Sequence, residues 1–135
     1  MGVIPWSPLA GGWLTGRYRK GQPAPDSNRG RGADLSTPAN QAKLDAVEQI
    51  VEVAEQAGLS MVDLSLAFVI RHPGVTSAII GPRTMEQLES QLGAPDVTLS
   101  ADVLDRLDEI VPPGTNIGGG GWKPPSLTDA ALRRR

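Results

Sequence analysis

A chain of 135 residues with 13 basic and 15 acidic side chains has the length of one cored domain. Its net charge of -2 leaves no broad basic field with which to hold nucleic acid or anionic lipid. There is no cysteine and a single histidine, His72, which excludes disulfides, thiolate metal sites and histidine-rich metal clusters.

The amino terminus, Met1-Gly2-Val3-Ile4-Pro5, lacks the basic and apolar regions of a signal peptide. No aliphatic stretch nears the roughly 20 residues needed to span a bilayer. A cytoplasmic setting without membrane contact is the expectation. Val3-Ile4-Pro5-Trp6 is short and apolar, is ended by Ser7-Pro8, and reads as a strand end near residues 3–6. In the next stretch the Gly11-Gly12 pair stands beside Trp13, permitting close backbone approach to packed chain or to a ligand. Residues 21–38 are polar, aperiodic and rich in Gly and Pro, and read as a long loop.

From residue 40 to 57 the pattern turns helical, with Leu44, Val47, Ile50, Val51 and Ala54 on one stripe and Gly58 as terminator. A second helix is expected over 60–71, opened by Ser60 and Asp63 as a capping box and stopped by Pro73-Gly74. Its Leu64, Ala67 and Phe68 share a face, and further apolar residues call for cover on more than one side. Residues 75–80 read as a strand closed by Gly81-Pro82. A third helix over 84–93 is capped by Thr84, with Gln87 at its third position and Leu88 and Leu92 on its inner face. A fourth over 101–110 follows Ser100 and carries Val103, Leu104, Leu107 and Ile110. Residues 1–111 thus hold the ordered unit, and 112–135 form a Gly- and Pro-rich tail ending in Arg133-Arg134-Arg135.

Strand followed by helix, repeated, predicts parallel α/β architecture. Two such units leave strand edges and helix faces seeking partners, so self-association or binding to a missing portion is expected.

The sharpest chemical feature is Gly81-Pro82-Arg83-Thr84, where a strand meets a helix start. Unpaired N–H groups, the positive end of the helix dipole and the planar fork of Arg83 suit a phosphate; the alternative is an ordinary capped turn. Trp6 either stacks a flat heteroaromatic ring or supports a turn from within. Arg17, Arg29 and Arg31 either neutralise a pyrophosphate or are solvated surface. No catalytic group stands out: His72 reads as a helix end cap, Asp63 as half of a cap, and Tyr18 has no evident lysine or histidine partner. Gly118-Gly119-Gly120-Gly121 precedes Trp122 and prolines, not a helix, and so does not fit a dinucleotide fingerprint.

The run from Ile4 to Tyr18, Ile-Pro-Trp-Ser-Pro-Leu-Ala-Gly-Gly-Trp-Leu-Thr-Gly-Arg-Tyr, resembles the segment around the seventh barrel strand of aldo-keto reductases. The nearest branch is that of bacterial enzymes related to potassium-channel beta subunits. Residues 63–73 are similar to the helix before the eighth strand, and residues 77–94 to that strand and its helix. The resemblance implies the last two β/α units of a partial (β/α)8 TIM barrel, plus terminal helices, that binds NADPH for carbonyl reduction. On that basis Trp6 stacks on the nicotinamide, while Ser7, Pro8, Leu9, Gly11 and Leu14 line nicotinamide and pyrophosphate, with Arg17 near the phosphates. Gly81, Arg83, Gln87 and Gln91 surround the ribose 2′-phosphate and adenine; Gln91 stands where the family usually has asparagine. The family's catalytic aspartate, tyrosine, lysine and histidine belong to earlier strands, and no residue here inherits their roles. A truncated product, half of a split enzyme and an isolated segment all fit that pattern, as does a non-catalytic nucleotide-binding or interaction remnant.

Overall fold

The computed structural model describes residues 2–25 and 33–117. Arg29, Arg31, the Gly118–Gly121 run and the terminal arginines therefore lie outside the described residues. Four helices follow in chain order, α1 (Pro38–Gln56), α2 (Met61–Ile70), α3 (Met85–Leu92) and α4 (Ala101–Ile110), with short 3-10 turns at Ala10–Thr15 and Ala94–Asp96.

Each α-helix begins where a hydroxyl side chain accepts a backbone N–H. Thr37 accepts from Asn40, Ser60 from Asp63, Thr84 from Gln87 and Ser100 from Val103. Such caps satisfy donors that the helix itself cannot, each worth about 1 kcal/mol. Pro38 at the first turn brings α1 in two residues earlier than the apolar pattern alone suggests, because its missing N–H costs nothing there. At the far end of α1, Gly58 has φ 67 and donates to the Glu55 carbonyl, while Leu59 donates to that of Ala54. That pair of bonds is the Schellman arrangement, which closes the helix and turns the chain into α2.

The core lies among α1, α2 and α4. Val47, Val51, Val53 and Ala54 of α1 meet Met61, Leu64 and Ala67 of α2, with Leu99 and Val103 closing the third side. Leu64 is 1% exposed, so its burial contributes about 1.5–3 kcal/mol. Two apolar expectations differ from the structure. Leu92 is 61% exposed and Phe68 37%, and the buried residue of α3 is Gln91.

The expected strands are present only as isolated pairings. Val3 bridges Val75 and Trp6 bridges Ile79, both in parallel sense. The Thr76 N–H donates to the Val3 carbonyl at 2.8 Å and the Ile79 N–H to that of Pro5 at 2.9 Å. The offset between partners lengthens by one residue from the first bridge to the second, and Pro5 has no N–H to give, so no continuous ladder forms. Even so, the contact is close: a Cβ on Gly2 would collide with Thr76 Oγ1. Parallel pairing, capped helices and a helix-covered core make this an α/β chain, with its sheet component reduced to two bridges among the described residues.

Candidate functional site

Beyond the Trp6–Ile79 bridge the two chain segments part, and the residues just after them enclose a cleft of about 410 Å³. One wall is built from the turn after Trp6. Ser7 and Ala10 both take left-handed backbone conformations, φ 56 and 49, which cost a non-glycine residue roughly 1–2 kcal/mol each. Gly11 and Gly12, at φ 67 and 103, continue the same tight course at no such cost. Hydrogen bonds from the Ala10 N–H to the Ser7 carbonyl and from the Gly12 N–H to the Leu9 carbonyl, both 2.9 Å, hold the turn. Strain concentrated in one wall of a cleft is the pattern that binding loops show.

Trp6 is 77% exposed at this cleft. Within the described residues the indole is therefore not buried beneath a turn, and its apolar face borders the cleft. On the opposite wall stand Gly81 and Arg83, then Gln87, Ser90 and Gln91 on one face of α3. Here the local bonding refines the expectation. The Arg83 N–H donates to Gln87 Oε1 at 2.9 Å, and the Gln87 N–H to Thr84 Oγ1 at 3.2 Å. Two donors of this turn are thus satisfied internally. The exposed Arg83 side chain adds a guanidinium to the donors that the turn keeps.

Of the residues expected to contact a nucleotide, Trp6, Ser7, Pro8, Leu9, Gly11, Arg17, Gly81, Arg83, Gln87 and Gln91 all border this one cleft. Leu14 does not. It packs against the helical core and faces a second, apolar groove beside α1, α2 and α4, since the 3-10 turn carries it round to the other side of Gly11-Gly12. Thr15, Tyr18, Pro25, Val62 and Ser90 also border the cleft and were not anticipated. Ser90 had a signal in its spacing: it lies three residues from Gln87 and donates to the Gln87 carbonyl at 3.0 Å.

The candidate acid–base groups keep structural roles. Tyr18 is 3% exposed and stacks on Trp13, ring centroids 4.3 Å apart. His72 Nδ1 accepts the Gly74 N–H at 3.1 Å, closing the turn after α2. Asp63 Oδ2 accepts the Ser60 hydroxyl at 2.7 Å. Among the described residues no group of three or more acidic or histidine side chains is arranged to hold a metal ion. No single described helix is long and apolar enough to cross a membrane.

The profile of the Aldo/keto reductase family matches residues 1–112. The chain belongs to the aldo/keto reductase family. Similar curated relatives include an uncharacterized oxidoreductase of Bacillus subtilis, 35% identical over 125 residues, covering 92% of this chain and 35% of the relative. A putative voltage-gated potassium channel subunit beta of Schizosaccharomyces pombe is 34% identical over 118 residues, 82% of this chain and 34% of the relative. The L-glyceraldehyde 3-phosphate reductase of Escherichia coli K12 is 34% identical over 122 residues, 84% of this chain and 34% of that enzyme. The chain spans about a third of the length of these relatives. Among solved structures, the glycerol dehydrogenase of Gluconobacter oxydans superposes with a TM-score of 0.63 at 23% identity, covering 85% of this chain and 36% of that one. That likeness concerns the fold.

Proposed function

We propose that this aldo/keto reductase chain forms the NADP(H)-binding carboxy-terminal part of a (β/α)8 barrel, and that the complete assembly reduces aldehydes or ketones. The observation that carries the reading is the convergence of Trp6, Ser7, Arg17, Arg83, Gln87 and Gln91 on one cleft beyond two parallel pairings. Parallel α/β folds bind ligands at strand ends, which suits the location. The residues fit the cofactor by chemistry: an open indole face for the nicotinamide ring, two guanidinium groups for phosphates, and two carboxamides for adenine.

In this reading Trp6 orients the ring, Arg17 takes the pyrophosphate, and Arg83 reads the 2′-phosphate. The bound cofactor supplies hydride. In this reading the proton needed by the developing alkoxide comes from outside residues 1–112: Tyr18, although it borders the cleft, is 3% exposed and stacked on Trp13, and His72 Nδ1 accepts the Gly74 N–H. These engagements also favour a second reading, in which residues 1–112 bind nucleotide without turnover.

A mixing experiment separates the two. The 135-residue chain is combined with a polypeptide supplying the first six β/α units of the barrel, and NADPH oxidation is followed with an aldehyde substrate. Turnover confined to the mixture is the expected result. Turnover by the chain alone overturns the assignment, and NADPH binding with no turnover in any mixture favours the second reading.

A further inference from the structure

Arg17 borders the cleft from a loop that has no helix or strand of its own. The backbone that follows it is clasped to α1 two and three residues on. Glu48, in the middle of α1, accepts Arg19 Nε on both carboxylate oxygens at 3.0 Å and Arg19 NH2 at 2.8 Å. The same carboxylate also accepts the Lys20 backbone N–H at 2.7 Å. Lys20 pairs through its ammonium group with Asp45, one turn earlier on α1. Between Arg17 and Arg19 the chain is held by Tyr18, buried and stacked on Trp13, with Lys43 of α1 lying 5.3 Å from the centre of the Trp13 ring.

An ion pair between two part-exposed side chains adds little to stability, so this clasp is poorly explained as glue for the fold. Its geometry is better explained as orientation. A bidentate guanidinium–carboxylate pair fixes both distance and plane, and the extra bond to the Lys20 N–H fixes the backbone as well as a side chain. Arg17 thus stands one residue before the Tyr18 anchor and two before the clasped guanidinium.

We propose that Glu48 is a positioning residue of the nucleotide site, holding the Arg17 loop against α1 so that Arg17 meets the phosphates in a pre-set position. The proposal rests on the cofactor reading for what Arg17 binds, while the holding of the loop stands apart from it. Preorganisation of one rotamer-rich side chain corresponds to about a 2- to 12-fold gain in affinity.

The test uses the 135-residue chain with Glu48→Ala, Glu48→Gln and Arg19→Ala, each checked for native melting behaviour, in two arms. In the first, nitrogen-15 relaxation without ligand reads backbone order at Arg17 and Lys20. Glu48→Ala and Arg19→Ala should lower order there and leave α2 unchanged, with Glu48→Gln intermediate because one oxygen can still accept the Lys20 N–H. Unchanged order at Arg17 in both alanine variants overturns the proposal. In the second, NADPH affinity is measured in a double-mutant cycle with Arg17→Ala. Glu48→Ala should weaken binding about 2- to 12-fold in the wild type and have no effect once Arg17 is gone. Equal effects in both backgrounds overturn the proposal. An Arg17→Ala variant that binds NADPH as the wild type does would instead remove Arg17 from the cofactor reading, and the relaxation arm would still decide the clasp.

Discussion

The helical half of the molecule and the cleft half solve opposite problems. Around α1, α2 and α4 most signals agree, Phe68 apart: hydroxyl caps, a Schellman closure and nine buried apolar residues in one cluster. The cleft side has two isolated bridges, left-handed Ser7 and Ala10, and large apolar groups left open, with Val3 at 51%, Ile4 at 58% and Ile79 at 55% exposure. Local consistency marks the first half, whereas the second carries backbone strain and exposed apolar side chains.

The widest separation between the two halves should come from truncating one aliphatic residue in each. Leu64→Ala removes a side chain that is 1% exposed and should cost about 2–5 kcal/mol in urea unfolding. Ile79→Ala removes one that is half exposed and should cost about 0.5 kcal/mol or less in the 135-residue chain. Comparable losses would mean that the bridged segments belong to the same cooperative core as the helices.

How far each half could be read in advance follows the same division. The stripe of Leu44, Val47, Val51 and Ala54 and the caps at Ser60, Thr84 and Ser100 are local signals, and the structure follows them closely. The strand segments were legible as pairing partners but not as broken ones. The one-residue slip between the bridges depends on how Pro5 meets residues 75–79, which no periodicity encodes. Leu14 shows a similar dependence: adjacent to cleft residues in sequence, it is turned to the core by the path through Gly11-Gly12. The Glu48 clasp joins residues 28 and 29 positions apart and left no trace in either local pattern.

A smaller effect probes the seam where the two halves meet. The hydrogen bond from Arg19, aided by the Lys20 N–H, holds the Glu48 carboxyl below its ordinary value. A depressed folded-state value means the clasp contributes at neutral pH, and the contribution fades as pH falls from about 5 through the usual glutamate range near 4.3 and below. Part exposure keeps the amount to about 1 kcal/mol or less. Asp34 is also held low, by Ser36, so the difference between wild type and Glu48→Gln isolates the clasp. Urea midpoints of the two proteins should converge as the solution is acidified. A gap that persists unchanged at pH 3 would show that Glu48 acts by packing instead of by charge.

The most direct test of the cleft as an NADP(H) site is fluorescence titration of NADPH and NADH against wild type and Arg83→Ala, in the barrel assembly that supports turnover. On the proposed reading, with the Arg83 and Gln87 N–H groups engaged by Gln87 Oε1 and Thr84 Oγ1, the Arg83 guanidinium is the group expected to distinguish the two cofactors. A charge-assisted contact of about 1.5–3 kcal/mol corresponds to a 10- to 150-fold preference for NADPH. Arg83→Ala should erase most of that preference by weakening NADPH alone, and Arg83→Lys should restore part of it, since it returns the charge without the planar fork. Equal losses for both cofactors, or no preference in the wild type, would contradict the account.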